Sequence, residues 1–257
     1  MHFRNMTLSS IPRIFVVGMN PLMDDTVFRT LLPMVSEQKQ DRIKRFLKPE
    51  DAQRCLIGDL LVRFLIIENL SISNRDIRFE TNQYGKPFLA GVSSFHFNIA
   101  HSGNWIVCAV HDLSVGVDVE KIKPIELDIA KRFFSAEEYH AIVSQPIERQ
   151  FDYFFSLWTL KESYIKAVGK GLSLSLDTFS IQIVPDGRIE VHDPSQERLY
   201  LFKQFKLDDD HKLALCYECR RESMDDIDKI DQADNKLCYL SIADLYSFFS
   251  KLARTRS

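Results

Sequence analysis

The sequence of 257 residues is 45% hydrophobic and 27% charged, with a formal net charge of −3. These values are typical of a soluble globular protein of one or two domains, and they give no protein-wide positive field that would attract nucleic acid or membranes. No apolar run reaches the length of a membrane span or of a secretory signal core. We therefore expect a soluble cytoplasmic protein whose anion sites depend on local clusters of Lys and Arg.

The first part of the chain alternates between helix and strand patterns. Residues 1–12 are expected to form an unstructured leader. The hydrophobic patterns then predict a strand at 13–19, a helical stretch at 41–70 broken at Pro49, a strand with a turn at 77–89, and a series of strands at 95–122.

The second part is similar in type. Helices are predicted around 126–133, 135–143 and 150–168, a hairpin at 179–192 and further strands at 198–220. Residues 222–235 carry six acidic and few apolar side chains, which indicates a solvated linker, and a short strand and helix follow. The order predicts an α+β fold with an N-terminal lobe at 13–114, a C-terminal lobe at 115–221 and an extension at 222–257, without a sequence repeat between the lobes.

The five cysteines do not form a recognisable framework. Cys216 and Cys219 form a lone CxxC motif within a stretch that alternates as a strand does. Residues three apart on a strand face opposite sides of the sheet. We therefore expect a buried or edge thiol rather than a metal site.

A carboxylate interrupts the apolar stripe of the helix predicted at 150–168. At about 100° per residue, Glu162 falls on the same face as Phe155, Trp158 and Ile165. An isolated buried carboxylate is costly, so Glu162 needs a partner. One alternative is Lys166, one turn further along the same helix. The other is a cation held jointly with acids from elsewhere in the chain.

The sequence VGVDVEKIKP at 115–124 offers such acids. The valines alternate with polar residues, which places Asp118 and Glu120 on the face opposite the valines, with their Cα atoms about 6.8 Å apart. Oxygen ligands of this kind suit Mg²⁺, which commonly bridges to substrate phosphates. Two solvated acids on a half-exposed strand are the alternative, since the DxE pattern is common.

Scattered basic and polar residues could complete an anion site. Lys39 and Arg42 share a helix face, Lys86 lies in the turn sequence YGKP, and His101 opens the turn HSGN. If Glu162 binds a cation, Lys161 and Lys166 beside it are free to meet phosphate oxygens. Each of these residues alone is most often a solvated surface group.

The ordered set of motifs resembles the 4'-phosphopantetheinyl transferases, specifically the monomeric type that activates surfactin synthetase. The motifs that carry the resemblance are YGKP, FNIAHSGNW, VGVDVEKIKP and FFSLWTLKESYIKAVGKGLSLSLDTFSI, within about residues 13 to 220. The resemblance implies an enzyme that transfers the phosphopantetheine arm of coenzyme A to a serine of an apo carrier protein, requires Mg²⁺ and releases adenosine 3',5'-bisphosphate. It also implies two similar lobes related by a pseudo-two-fold axis, with coenzyme A in the cleft between them.

The resemblance further implies roles for individual residues. The implied metal ligands are Asp118, Glu120 and Glu162, with Glu162 alternatively the base that accepts the serine proton. The implied coenzyme A contacts are Lys39, Arg42, Lys86, His101 and Lys166, and Lys161, Lys166 and His101 would add positive charge during catalysis. Ala100 and Cys55 depart from the serine and threonine expected at those positions, which bears on coenzyme contacts rather than on the activity.

The expected partners are apo acyl or peptidyl carrier proteins, with a peptide synthetase of secondary metabolism as the first choice. Phe133 and Phe134 would dock the carrier, and Lys131 and Arg132 would meet its acidic surface. A Mg²⁺-dependent phosphohydrolase and a non-catalytic module that binds coenzyme A or a carrier are the alternative functions.

Overall fold

The computed structural model describes residues 11–220 and 237–254. The predicted acidic linker at 222–235 and most of the predicted leader lie outside these residues. The strands are β1 (Arg13–Gly18), β2 (Phe79–Thr81), β3 (Pro87–Leu89), β4 (His96–Ser102), β5 (Trp105–His111), β6 (Val115–Lys121), β7 (Ser180–Ile183), β8 (Ile189–His192), β9 (Leu199–Lys206), β10 (His211–Cys219) and β11 (Leu237–Leu240). The α-helices are α1 (Asp25–Leu31), α2 (Glu37–Lys44), α3 (Pro49–Leu70), α4 (Asp128–Phe133), α5 (Ala136–Val143), α6 (Gln150–Val168) and α7 (Ile242–Arg254). The fold is α+β, as predicted.

The N-terminal sheet has the strand order β11-β1-β5-β4. The β1–β5 and β5–β4 pairs are antiparallel, whereas β1 and β11 run parallel. The predicted break at Pro49 is confirmed, because Pro49 starts α3, where its missing N–H is not needed. Helix α3 and the C-terminal α7 pack together in the core of this lobe, which includes Leu60, Leu245 and Phe249. The segment expected as a C-terminal extension thus supplies a strand and a helix to the N-terminal lobe.

The C-terminal lobe is built on an antiparallel sheet with the order β6-β10-β9. Helix α6 packs across β6 and β10, and the β7–β8 hairpin and α5 complete the core on the other side of the helix. Cys216 lies fully buried on β10, which confirms the expectation of a buried thiol.

The two sheets meet through an apolar layer. Val115, Val117 and Val119 of β6 are buried in one cluster with Ile14 and Val16 of β1. The predicted valine face of β6 is therefore confirmed, and Asp118 and Glu120 occupy its other face. No helix in the described part of the chain is long and apolar enough to span a membrane.

Candidate active site

Three carboxylates from two elements share one cavity. The cavity has a volume of about 380 Å³ and lies where α6 crosses β6. Its lining residues are Ile99, Ala100, His101, Asp118, Glu120, Trp158, Glu162 and Lys166.

The helix reaches this position because β6 carries a glycine under it. A Cβ at Gly116 would lie 2.4 Å from the backbone nitrogen of Ala167. A residue with a side chain at this position would push the helix away from the strand. Gly116 therefore brings Glu162 to the same cavity as Asp118 and Glu120.

Lys166 forms an ion pair with Asp118 rather than with Glu162. Its ammonium lies 2.6 Å from Oδ1 of Asp118, a side chain that is only 5% exposed. This contact joins α6 to β6 and decides against the intrahelical Glu162–Lys166 pair as the explanation for the inward glutamate. The other carboxylate oxygen, Oδ2 of Asp118, is buried and has no hydrogen-bond partner in the part of the chain that the structure describes.

Burial and neighbouring carboxylates raise the pKa of Asp118 and of Glu162. Burial raises the pKa of Asp118 to about 7, against the Lys166 charge, and Glu120 and Glu162 add to the rise. Burial likewise raises the pKa of Glu162, again against Lys166, and Glu120 contributes. Such mutual repulsion is relieved by a bound cation.

The donor set fits Mg²⁺ in its chemistry. All three side chains offer oxygen, and Asp118 Oδ2 has no partner among residues 11–220 and 237–254. Within residues 11–220 and 237–254, no group of three His, Cys, Asp or Glu side chains is already arranged as a metal site. In proteins Mg²⁺ is commonly held by one or two carboxylates and completes its shell with waters and substrate phosphates.

A larger basic cavity adjoins α2 and α3. It has a volume of about 1010 Å³, and its charged lining residues are Glu37, Lys39, Asp41, Arg42, Arg45, Asp59 and Arg78. Lys39 is oriented by Asp59 at 3.3 Å, and Asp59 is fixed in turn by Arg63 at 2.6 Å. Lys39 and Arg42 thus line one cavity, as their helical spacing predicts.

Arg45 and Arg78 also line this cavity, although neither was expected there. Arg45 follows Arg42 by three residues, so the same helical spacing could have identified it. Arg78 reaches the cavity from the segment before β2, for which the sequence offers no comparable signal.

Lys86 links the two lobes. Its ammonium donates to the backbone oxygens of Val115 and Ala167, each at 3.1 Å. Burial lowers the pKa of Lys86 to about 8. Lys86 also lines a third cavity of about 420 Å³ together with Phe133, Glu162 and Lys166.

His101 and its neighbours lie beside the carboxylates. His101 is the penultimate residue of β4 and is partly accessible to solvent. Partial desolvation of its ring, followed by the Arg54 charge, lowers its pKa. Ala100 is buried in the wall of the same cavity. Burial raises the pKa of the Cys55 thiol, and the charges of nearby Lys39 and Arg42 act in the opposite direction.

The structure corrects the role expected for Lys161. Its side chain is 0% exposed, and its ammonium binds both oxygens of Glu138 at 2.7 and 2.8 Å and the Phe179 backbone oxygen at 2.7 Å. Lys161 lines none of the three cavities described above. It stabilises the packing of α5 and β7 on α6 and cannot meet a phosphate in this position.

Phe133 and Phe134 have different surroundings, although both were expected on a docking surface. Phe133 is 38% exposed and lines the third cavity, whereas Phe134 is 4% exposed and stacks on Phe154 in the core. Lys131 and Arg132 are exposed at the end of α4.

Comparison with known families covers both lobes. The model of the 4'-phosphopantetheinyl transferase N-terminal domain matches residues 20–113, and that of the 4'-phosphopantetheinyl transferase superfamily matches residues 114–216. The chain belongs to the 4'-phosphopantetheinyl transferase family. It is an enzyme of the transferase class.

Individual relatives agree with this assignment. The chain is 40% identical over 204 residues to 4'-phosphopantetheinyl transferase Sfp of Bacillus subtilis strain 168, a match that covers 79% of this chain and 91% of that protein. It is 44% identical over 196 residues to 4'-phosphopantetheinyl transferase ffp of Bacillus subtilis, covering 76% and 87% of the two chains. The human L-aminoadipate-semialdehyde dehydrogenase-phosphopantetheinyl transferase is 33% identical over 205 residues, covering 70% and 66%.

Proposed function

We propose that this enzyme transfers the 4'-phosphopantetheine arm of coenzyme A to a serine hydroxyl of apo carrier proteins in a Mg²⁺-dependent reaction, with release of adenosine 3',5'-bisphosphate. The cavity shared by Asp118, Glu120 and Glu162 carries the proposal, because it combines oxygen ligands with Lys166 and His101 beside it. The adjoining basic cavity provides the positive charge that a 3'-phosphate needs.

The proposed binding mode places coenzyme A between two lobes related by a pseudo-two-fold axis. Lys39 and Arg42 hold the 3'-phosphate in the basic cavity. The diphosphate lies near His101 and Lys166, and the arm extends into the cavity lined by Phe133 and Lys86.

In the reaction the serine oxygen attacks the β-phosphorus, and the bond from that phosphorus to the oxygen of the adenosine bisphosphate breaks. Mg²⁺ bound by Asp118 and Glu120 would neutralise charge on the diphosphate oxygens. Lys166 and His101 add positive charge where it accumulates on the leaving group.

Glu162 has two candidate roles, metal ligand and general base. Its raised pKa favours proton uptake compared with an exposed glutamate, whereas a bound cation favours its ionised form. The two roles are separated by measuring the pH profile of transfer and the Mn²⁺ affinity of Glu162→Gln. Loss of a general base lowers only the transfer rate, whereas loss of a metal ligand also weakens Mn²⁺ binding.

The proposed partners are acyl or peptidyl carrier proteins. The carriers of a peptide synthetase of secondary metabolism are the first choice. Exposed Phe133 offers an apolar contact, and exposed Lys131 and Arg132 offer positive charge to an acidic carrier surface. We propose that the enzyme acts as a cytoplasmic monomer.

The test is incubation with coenzyme A, Mg²⁺ and a panel of apo acyl and peptidyl carriers, followed by mass spectrometry. One phosphopantetheine group should be added to a carrier serine, and Asp118→Ala should abolish the addition. No mass gain on any carrier would refute the proposal. Release of phosphate or nucleotide from coenzyme A without an acceptor would support a phosphohydrolase instead, and turnover unaffected by Asp118→Ala would contradict the assigned site.

A further inference from the structure

Ser102 makes two hydrogen bonds that connect β4 of the N-terminal lobe to β6, the strand that carries Asp118 and Glu120. It is the last residue of β4 and is partly buried. Its hydroxyl donates to Oε2 of Glu120 at 3.1 Å and accepts the backbone N–H of Lys121 at 3.0 Å.

These two bonds fix the direction of the hydroxyl. A serine hydroxyl has one proton to donate. Because the Lys121 N–H occupies an acceptor position on the oxygen, the proton is left for Glu120. The Glu120 carboxylate is therefore held through Oε2, which leaves Oε1 for other contacts.

Asp118 shows the same pattern. Lys166 holds its Oδ1 at 2.6 Å, while Oδ2 is buried without a hydrogen-bond partner among the described residues. Each strand carboxylate thus has one oxygen bound by a protein donor. The donors come from different elements, α6 for Asp118 and the end of β4 for Glu120.

The turn that follows Ser102 is itself attached to the C-terminal lobe. The Trp105 indole donates to Oδ2 of Asp208 at 2.7 Å. Gly103 has φ of +54°, and a Cβ on it would lie 2.8 Å from Nε2 of His211. The turn therefore lies directly on the β9–β10 turn, and Ser102 is fixed relative to β6 from both sides.

We infer that Ser102 is a positioning residue that orients Glu120 for the divalent ion. The inference rests on the proposed function, since it assigns Glu120 to a metal that coenzyme A shares. Removing a donor that orients a metal-binding carboxylate typically lowers metal affinity or activity by about 10- to 100-fold.

The experiment compares Ser102→Ala and Ser102→Thr with the wild type. Mn²⁺ binding in the presence of coenzyme A is measured by electron paramagnetic resonance, alongside the Mg²⁺ concentration for half-maximal transfer. Ser102→Ala should weaken Mn²⁺ binding and raise the Mg²⁺ requirement by about tenfold. Ser102→Thr, which keeps the hydroxyl, should restore both values towards those of the wild type.

Ser241→Ala is the matched control. The Ser241 hydroxyl also donates to a carboxylate, Oδ2 of Asp244 at 2.6 Å, and accepts a backbone N–H, that of Asp244 at 3.1 Å, but it lies at the start of α7. This variant should lower thermal stability without changing Mn²⁺ affinity.

A double-mutant cycle distinguishes positioning from general destabilisation. If Ser102 acts through Glu120, Ser102→Ala combined with Glu120→Gln should bind Mn²⁺ no more weakly than Glu120→Gln alone. Two outcomes would overturn this inference and leave the proposed function intact, provided that the wild type transfers normally. One is that the losses of Mn²⁺ affinity in the two single variants add in the double variant. The other is that Ser102→Ala binds Mn²⁺ as tightly as the wild type does. A wild type that neither transfers nor binds Mn²⁺ would refute both.

Discussion

Gly116 of β6 and Ser163 of α6 are in direct backbone contact: a Cβ on Gly116 would lie 2.0 Å from the Ser163 carbonyl oxygen. Gly116→Ala must therefore displace α6, and with it Glu162. We expect a loss of about 1–3 kcal/mol in the free energy of unfolding and a larger relative loss of turnover. Urea denaturation and initial transfer rates measure the two effects.

Gly58→Ala provides the comparison for that variant. Gly58 lies within α3, and among the described residues a Cβ there would meet only Ile99 Cγ2, at 3.7 Å. This substitution should be neutral or stabilising by about 0.5–1 kcal/mol, because alanine favours a helix interior over glycine. Equal effects of the two substitutions would show that the contact at Gly116 is not required.

Lys161 should contribute to stability rather than to coenzyme binding. Lys161→Met leaves the Glu138 carboxyl group without its cationic partner in a site where that side chain is only 2% exposed. We expect a loss of about 3–5 kcal/mol in the free energy of unfolding, measured by urea denaturation. The KM for coenzyme A of the folded fraction should stay close to that of the wild type.

Neutralising both partners of that pair tests its origin. Lys161→Met with Glu138→Gln should be less destabilised than the sum of the single variants, because no unpaired charge remains. A Lys161→Met protein of normal stability with a raised KM for coenzyme A would restore the phosphate-binding role.

Lys86 should make stability depend on pH in the alkaline range. Its folded-state pKa is about 8, below the ordinary value of 10.5. Between these two values the unfolded chain holds the proton and the folded protein does not, so the group's contribution to the free energy of unfolding rises with pH. The difference between wild type and Lys86→Met should increase by at most about 1.4 kcal/mol per pH unit above pH 8.

The same comparison between pH 6 and 7 supplies the baseline. There Lys86 is protonated in both states, so the difference should not change. Denaturant titrations of the ligand-free proteins at each pH give these values. A difference that stays flat up to pH 10 would contradict the lowered pKa.

Arg42 should bind the 3'-phosphate of coenzyme A. Losing a hydrogen bond to a charged group costs about 1.5–3 kcal/mol, so Arg42→Ala should raise the KM for coenzyme A by about 10- to 100-fold with little change in kcat. The KM for 3'-dephospho-coenzyme A should be unaffected by the substitution. Arg29→Ala, which removes an 81% exposed arginine on α1, is the control. A similar KM increase for both coenzymes would place Arg42 elsewhere on the ligand.

Alanine substitutions of Phe133 and Phe134 should have different effects, one on carrier binding and the other on stability. Phe133→Ala removes an exposed ring and should raise the KM for the carrier while leaving the free energy of unfolding within about 0.5 kcal/mol. Phe134→Ala removes a core ring and should cost about 3–5 kcal/mol. Carrier titrations and thermal denaturation measure the two outcomes. A carrier KM unchanged by Phe133→Ala would exclude that ring from docking.

Local sequence patterns correctly predicted the orientation of side chains within a single strand or helix. Alternation placed the valines of β6 inside and Asp118 on the opposite face, and helical periodicity placed Glu162 inward. Both follow from the fixed geometry of strands and helices. The same reasoning could not find Ser102 as a partner of Glu120, because that contact joins elements from the two lobes.

The errors have the same physical origin. Lys161 is adjacent to Glu162 in sequence, but successive helix residues point about 100° apart, so Lys161 faces the core on another side. Its partner Glu138 belongs to α5, and nothing in the sequence near Lys161 indicates it. Likewise, neighbouring Phe133 and Phe134 diverge where α4 ends.

The parallel pairing of β11 with β1 has a consequence for biosynthesis. During translation, residues 237–240 leave the ribosome after all of residues 115–219, although they pair with Ile14–Val17. The second lobe can thus assemble before the first is finished. Until β11 and α7 arrive, the nascent first lobe exposes one edge of β1 and the apolar surface that Leu245 and Phe249 later cover.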